Sequence, residues 1–165
     1  LPTLIAGLLQ TPEYMRAAMD TPVEPTAGDT ATAIALKLER QAILHDKSKR
    51  FEFLLTESAL RWQLSETSVM AVQLDRLVSL SWLPNIRIGV LPFGVQVGDG
   101  PYHTFVIYDN HIVTIELFTG QLVLRDPKDI DHYHALASFF GGYALWKDGA
   151  RDFISRMADN YRAAG

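Results

Sequence analysis

The sequence predicts an α+β domain in which helices cover a mixed sheet of roughly five strands. Two apolar runs, Phe51–Thr56 and Ile86–Leu91, lie on either side of a segment with helical apolar spacing. This order predicts a right-handed crossover between two parallel strands. Further along the chain, three short strands joined by tight turns predict an antiparallel meander between Tyr102 and Arg125.

Capping residues and apolar spacing predict the helices of the first half. Thr11 as N-cap and Pro12 at the first helical position begin a helix that runs to about Met19. Two prolines and a glycine then predict a loop over residues 20–28. The next helix is predicted over residues 30–45, where apolar side chains recur on one face.

Similar signals predict the remaining elements. A helix over residues 67–82 carries an apolar stripe and ends before Pro84. Asp126 followed by Pro127 predicts the start of a helix that runs to about Phe140. The other predicted elements are strands over residues 102–108, 111–117 and 121–125 and a last helix over residues 148–162.

Composition and charge exclude several classes of protein. The 165 residues suit one domain, and a hydrophobic fraction of 48% excludes a mainly disordered chain. The absence of cysteine excludes disulfides, thiolate catalysis and zinc sites with sulfur ligands. The net charge of −4 gives no electrostatic footprint for DNA or anionic lipid, and no apolar run approaches the ~20 residues of a membrane span.

The first residues carry no positively charged leader, and the chain begins at Leu1 rather than Met. We therefore expect residues 1–165 to form a single domain of a longer cytoplasmic protein, with further sequence upstream.

No pattern predicts a metal site or a cofactor. His132 and His134 are two residues apart, which directs them to different faces of a helix, whereas a helical metal pair needs a spacing of four. The glycines from Gly94 to Gly100 lack the lysine of a phosphate loop and precede a strand, so they predict a flexible loop.

Two carboxylates in strand contexts are the first candidate site residues. Glu57 and Glu116 both lie among apolar residues, and a carboxylate on a partly buried sheet is costly unless it is paired. Arg40 and Arg61 are the candidate partners. Ion pairing is the favoured interpretation, ligand contact is the second, and acid–base catalysis by the two glutamates is the third.

Aromatic residues cluster around the predicted meander. They could line a cavity for a small molecule, although packing in the core explains them at least as well. The residues concerned are Phe93, Tyr102, Phe105, Tyr108 and Phe118.

An ordered set of segments resembles one family of domains. Ile5–Tyr14 resembles an opening of the form PGLLQT-x-EY with Ala6 in place of proline, and Pro84–Phe93 resembles PNV-x-V-x-VLPF. The further matching segments are 39–44, 54–61, 70–80 and 115–122. The pattern is similar to the domain of unknown function that lies C-terminal to an Xre-type helix-turn-helix in actinobacterial, WhiJ-like regulators. The chain departs from it at Ala6, before Glu116 and after Gly141.

The resemblance implies a regulatory domain of a homodimeric transcription regulator. DNA would be bound only by an N-terminal helix-turn-helix outside this chain, and the domain would bind a small-molecule effector or a small partner protein. Family members are often encoded beside such a small protein. Within the domain, the residues expected to contact the ligand or partner, or to form structural ion pairs, are Arg40, Glu57, Arg61, Phe93, Tyr102, Tyr108 and Glu116.

Two other hypotheses remain open from the sequence. The chain could be an enzyme, a hydrolase or transferase that uses Glu57 and Glu116, if both lie in one cleft. Alternatively, its last helix could pair with a second copy through Ile154, Met157 and Tyr161 across a two-fold axis.

Overall fold

The structure is a computed structural model that describes residues 4–20 and 29–165. Its helices are α1 (Pro12–Met19), α2 (Thr30–Gln41), α3 (Glu57–Arg61), α4 (Thr67–Leu80), α5 (Pro127–Gly141) and α6 (Lys147–Ala164). Its strands are β1 (Phe51–Thr56), β2 (Ile86–Leu91), β3 (Phe105–Tyr108), β4 (Ile112–Leu117) and β5 (Gly120–Leu124). Short 3₁₀ turns cover Gly7–Leu9 and Ala42–His45. The predicted loop over 20–28 lies outside the described residues, apart from Asp20.

The α+β class is confirmed, as are the two helix starts that Thr11 and Asp126 predicted, whereas α4 has Glu66 as its N-cap and no side-chain cap. The Thr11 hydroxyl accepts a hydrogen bond from the backbone N–H of Tyr14, with Pro12 at the first helical position of α1. Asp126 accepts from the backbone N–H of Lys128 in the same way at α5. These acceptors satisfy N–H groups that a helix start leaves unpaired, and for this reason the sequence located both starts.

The prediction of one five-stranded sheet is wrong. The described strands form two sheets: β1 and β2 pair in parallel, while β3, β4 and β5 form the predicted antiparallel meander. The edge of β2 that faces away from β1 is occupied by Leu145, which exchanges backbone hydrogen bonds of 2.8 and 2.9 Å with Val90. Since this position is taken, the meander cannot extend the parallel pair there.

Trp146, the residue after Leu145, packs against the same strand. A Cβ added to Gly89 would lie 2.6 Å from the Trp146 ring, so only glycine allows this close approach. The indole N–H donates to the carbonyl of Gly141 at 2.8 Å, and the Arg87 guanidinium lies 4.7 Å from the ring centroid. These contacts hold the connection between α5 and α6 against β2.

The main core lies between the parallel pair and helices α4 and α6. Ile154 and Met157 of α6 are buried in this core. The apolar face that the sequence suggested for pairing with a second copy is therefore already covered within the chain. A second, smaller core lies between the meander and α5, where Val113 and Ile115 pack with Ile130.

Buried glutamines fasten the first segment, residues 5–11, to the helices. Gln73 of α4 is fully buried; it donates to the carbonyl of Leu9 at 2.9 Å and accepts from the N–H of Thr11 at 2.7 Å. Gln41 of α2 donates to two further carbonyls of the same segment. The segment lacks a regular ladder, so these side chains satisfy backbone groups that would otherwise be buried without partners. No helix of the described residues is long and apolar enough to cross a membrane.

Candidate functional site

Glu57 lies where the first parallel strand ends and α3 begins. Its side chain is 7% exposed, and both of its carboxylate oxygens accept hydrogen bonds. Oε1 accepts from Nε of Arg61 at 2.5 Å, and Oε2 accepts from the backbone N–H of Phe93 at 2.6 Å. The ion pair favoured from the sequence is confirmed for this glutamate, with Arg61 as its partner one helical turn later.

This carboxylate joins the ends of the two parallel strands. Thr56 at the end of β1 is in register with Leu91 at the end of β2, and Phe93 follows two residues later. Glu57 therefore ties the chain leaving β2 to the chain leaving β1. In parallel sheets, the carboxyl ends of the strands are where ligands are usually bound.

The Arg61 guanidinium is bonded through Nε, whereas its two Nη groups donate to no described residue. The Arg61 side chain is 54% exposed. The Tyr161 hydroxyl fixes the end of α3 from the other side, at 3.1 Å from the carbonyl of Leu60 and 3.2 Å from that of Arg61. The two terminal Nη groups are consequently held in place and available for an anion, which guanidinium binds through two parallel hydrogen bonds.

Burial raises the pKa of the Tyr161 phenol, and the positive charge of Arg61 partly opposes this change. The hydroxyl therefore keeps its proton at neutral pH and donates to the carbonyls that end α3.

Two exposed aromatic residues are linked to Arg61: one is its neighbour in the sequence, and the other bonds to the same glutamate through its backbone. Trp62 follows Arg61 directly and is 62% exposed, and Phe93, whose backbone is bonded to the same carboxylate, is also 62% exposed. We call Arg61, Trp62 and Phe93 the Arg61 patch. Exposed aromatic and arginine side chains are typical of binding surfaces. The sequence reasoning missed Trp62, although its position directly after Arg61 could have indicated it.

The structure does not bring the other predicted site residues to this patch. Glu116 is exposed on β4 in the second sheet, in register with Gln121, and no described hydrogen bond or ion pair joins it to Glu57. Arg40 is exposed on α2 and forms no ion pair with a described residue. The hypothesis that Arg40 pairs with one of the two glutamates is wrong for the residues described.

The predicted aromatic cavity does not form as one site. Tyr102 and Phe105 border a cleft of about 30 Å³, lined also by Leu136 and Phe140. A space of this size holds a water molecule or two and no larger ligand. Tyr108 and Phe118 are exposed instead.

A second cleft lies on the surface of α1 and the segment before α4. It is open to solvent, has a volume of about 370 Å³, and is lined mainly by polar and charged residues: Glu13, Arg16, Ala17, Asp20, Leu64 and Ser65. None of the residues predicted for a site lies in it. Its shape and polar lining differ from the enclosed apolar pockets that bind most small ligands.

Two of the described histidines, His103 and His134, form hydrogen bonds between structural elements. No group of three potential ligands among the described residues could hold a metal ion. His103 Nε2 lies 2.9 Å from the hydroxyl of Tyr133, and His134 Nε2 lies 3.0 Å from the carbonyl of Asp109. Both contacts fasten the meander to α5.

Comparison with models of protein families identifies the family of the chain. A family model described as "Domain of unknown function (DUF5753)" matches residues 1–156. The chain belongs to this family. No curated protein and no solved structure matches it. The match to DUF5753 spans both sheets and most of α6, so the Arg61 patch lies inside the family region.

Proposed function

We propose that this DUF5753 domain is the regulatory domain of a cytoplasmic helix-turn-helix transcription regulator, and that its Arg61 patch binds an acidic group on a small partner protein. The observation that carries the proposal is the fixed guanidinium. Arg61 is held through Nε by a buried carboxylate, its side chain is 54% exposed, and Trp62 beside it in the chain and Phe93 on the same carboxylate are exposed as well. A guanidinium fixed in this way loses little conformational freedom when it binds a carboxylate.

A partner protein is favoured over a small-molecule effector by the shape of the surface. The clefts described above are either the size of a water molecule or open to solvent. By contrast, large apolar side chains are exposed at several positions, including Trp62 and Phe93. Exposed apolar patches with polar surroundings are typical of protein interfaces.

The acidic charge of the chain supports the assignment of DNA binding to another part of the protein. A net charge of −4 gives the domain no general attraction for phosphate. In the regulators that the chain resembles, an N-terminal helix-turn-helix binds DNA. Binding of a partner to the present domain would change the arrangement of two such helix-turn-helix domains in a dimer.

The proposed enzyme alternative receives no support from the geometry. It needs Glu57 and Glu116 in one cleft, whereas Glu57 begins α3 at the end of the parallel pair and Glu116 lies on β4 of the other sheet. Both oxygens of Glu57 are also already bonded, to Arg61 and to the backbone of Phe93.

The test uses the full-length regulator and the small protein encoded beside its gene. Isothermal titration calorimetry measures their affinity for the parent and for two variants, Arg61→Gln and Phe93→Ala. Each variant should weaken binding at least about tenfold, because a charged hydrogen bond or a buried aromatic contributes about 1.5–3 kcal/mol. Phe93→Ala keeps the backbone N–H that bonds to Glu57, so its effect reports on the ring.

The matched control is Arg156→Gln, an exposed arginine of α6 that forms no ion pair with a described residue. Its affinity should equal that of the parent. The proposal is wrong if the small protein does not bind, or if it binds both patch variants as tightly as the parent. A small molecule that stays bound in native mass spectrometry and is lost on denaturation would overturn the choice of a protein partner.

A further inference from the structure

The second sheet ends in a strand with an unpaired edge. β5 pairs with β4 on one side, and no described strand pairs with its other side. Its residues, Gly120–Leu124, include no charge and no proline, which are the features that usually protect an exposed edge. Unpaired N–H and C=O groups along such an edge accept an extended segment of another chain.

The register indicates which backbone groups of β5 face outward. A two-residue turn joins β4 to β5, and the pair Leu117–Gly120 closes it. In a hairpin of this kind the closing pair is hydrogen-bonded, and bonded pairs alternate along the ladder. Leu122 therefore bonds to β4, while Gln121 and Val123 direct their N–H and C=O groups away from the sheet.

The side chains on the α5 side of the sheet form an apolar row that stops at this edge. Phe105, Ile115 and Leu122 are in register across the three strands. Ile115 in the middle is 6% exposed, whereas Leu122 at the edge is 46% exposed. Within residues 4–20 and 29–165, no further strand continues this row on the outer side of Leu122.

We propose that β5 of a second copy of this chain pairs with this edge in antiparallel orientation, across a two-fold axis beside Leu122. Such pairing places Leu122 opposite Leu122 of the partner subunit and continues the apolar row through the axis. Gln121, whose backbone groups face outward, then exchanges hydrogen bonds with Val123 of the partner subunit, and Val123 does the same with Gln121 of the partner subunit. The axis position that completes the apolar row is thus also the one that pairs the outward backbone groups.

Charge also favours a second copy as the occupant. β5 is uncharged, and with the axis at Leu122 the nearest charged residue, Arg125, lies opposite Thr119 of the partner subunit. Like charges directly opposite each other would destabilise the pairing, and none occurs across the paired strands. The proposal uses no residue of the Arg61 patch, so the two proposals can fail separately.

The first test is sedimentation velocity of the 165-residue chain over a concentration series. Pairing through one short strand buries less surface than a standard interface, so we expect a weak, concentration-dependent dimer. Leu122→Lys should weaken this dimer at least tenfold, because it places two positive charges opposite each other. The control Val106→Lys changes a residue of β3 that is similarly exposed, at 45%, and should leave dimerisation unchanged.

Mixing variants gives a sharper result. Leu122→Glu should also be monomeric alone, because it places like charges opposite each other, whereas an equimolar mixture with Leu122→Lys should recover the dimer as a heterodimer. A chain that is monomeric at every concentration overturns the proposal. So does a dimer that Leu122→Lys leaves intact, or a mixture that remains monomeric.

The absence of cysteine from the chain allows a second measurement that does not depend on charge. Under mild oxidation, Leu122→Cys should form a disulfide-linked dimer, since opposed residues in a non-hydrogen-bonded antiparallel pair are close enough to be bridged. Val106→Cys is the matched control and should remain monomeric. Equal cross-linking of the two variants, or none at Leu122→Cys, contradicts the proposed pairing.

Discussion

Replacing Gln73 with leucine should cost the chain a large share of its stability. The side chain is fully buried, and its amide bonds to the carbonyl of Leu9 and to the N–H of Thr11. Leucine fills a similar volume but leaves both backbone groups buried without partners. Each such group costs about 1–3 kcal/mol. After the apolar side chain offsets part of this cost, we expect Gln73→Leu to lower the free energy of unfolding by about 3 kcal/mol.

Urea denaturation followed by circular dichroism measures this change. For a domain of 165 residues, about 3 kcal/mol corresponds to a fall of about 6–12 °C in the melting temperature. Gln63→Leu makes the same substitution at an exposed glutamine and should change stability by less than about 0.5 kcal/mol. If Gln73→Leu is as stable as Gln63→Leu, the glutamine does not hold the first segment and the reasoning is refuted.

Three further changes test other contacts. Gly89→Ala should destabilise the chain by about 1–3 kcal/mol in urea denaturation, because its Cβ would lie 2.6 Å from the Trp146 ring; unchanged stability would contradict that packing. Thr32→Val should raise the pKa of Asp29 in an NMR titration, since the Thr32 hydroxyl is the main cause that holds this pKa below its usual range; an unmoved pKa would exclude that cause. Burial raises the pKa of Tyr14, so the stability it contributes is fully present below pH about 10 and is lost as the pH rises above that value. Tyr14→Phe should therefore reduce the loss of stability above pH about 10, and an identical pH profile would argue against the raised pKa.

Local patterns predicted the elements of the fold, whereas the division into two sheets depends on a distant contact. Phe51–Thr56 and Ile86–Leu91 read as strands from their own residues, and the structure gives them the same bounds. The edge of β2 is closed by Leu145, more than fifty residues later, in a connection between two helices. No apolar period in that connection indicates that one of its residues pairs with a strand, so the sequence reasoning joined the meander to the parallel pair.

The two glutamates differ in how far the sequence predicts their surroundings. Glu57 and Arg61 lie one helical turn apart, and this short separation made an ion pair predictable once α3 forms. Glu116 has similar apolar neighbours, but it lies near the end of β4, where both it and Leu117 are exposed, whereas Val113, Thr114 and Ile115 before it are buried. Apolar neighbours in sequence show that a residue lies in a strand; they do not show whether its own face of the sheet is covered.

The motifs that make the chain recognisable serve mainly to hold the fold. Gln10 donates to the carbonyl of Ile5, Gln73 holds the segment around Leu9, and Asn85 donates to three carbonyls of the turn that precedes β1. These amide side chains form hydrogen bonds with backbone carbonyls outside regular helices and strands. Few other residue types combine enough length with a donor group for this role. The exposed residues of the Arg61 patch carry no such duty, apart from the ion pair of Arg61 itself. Chains that share the buried pattern can therefore differ at Trp62 and at the ring of Phe93 without losing these hydrogen bonds.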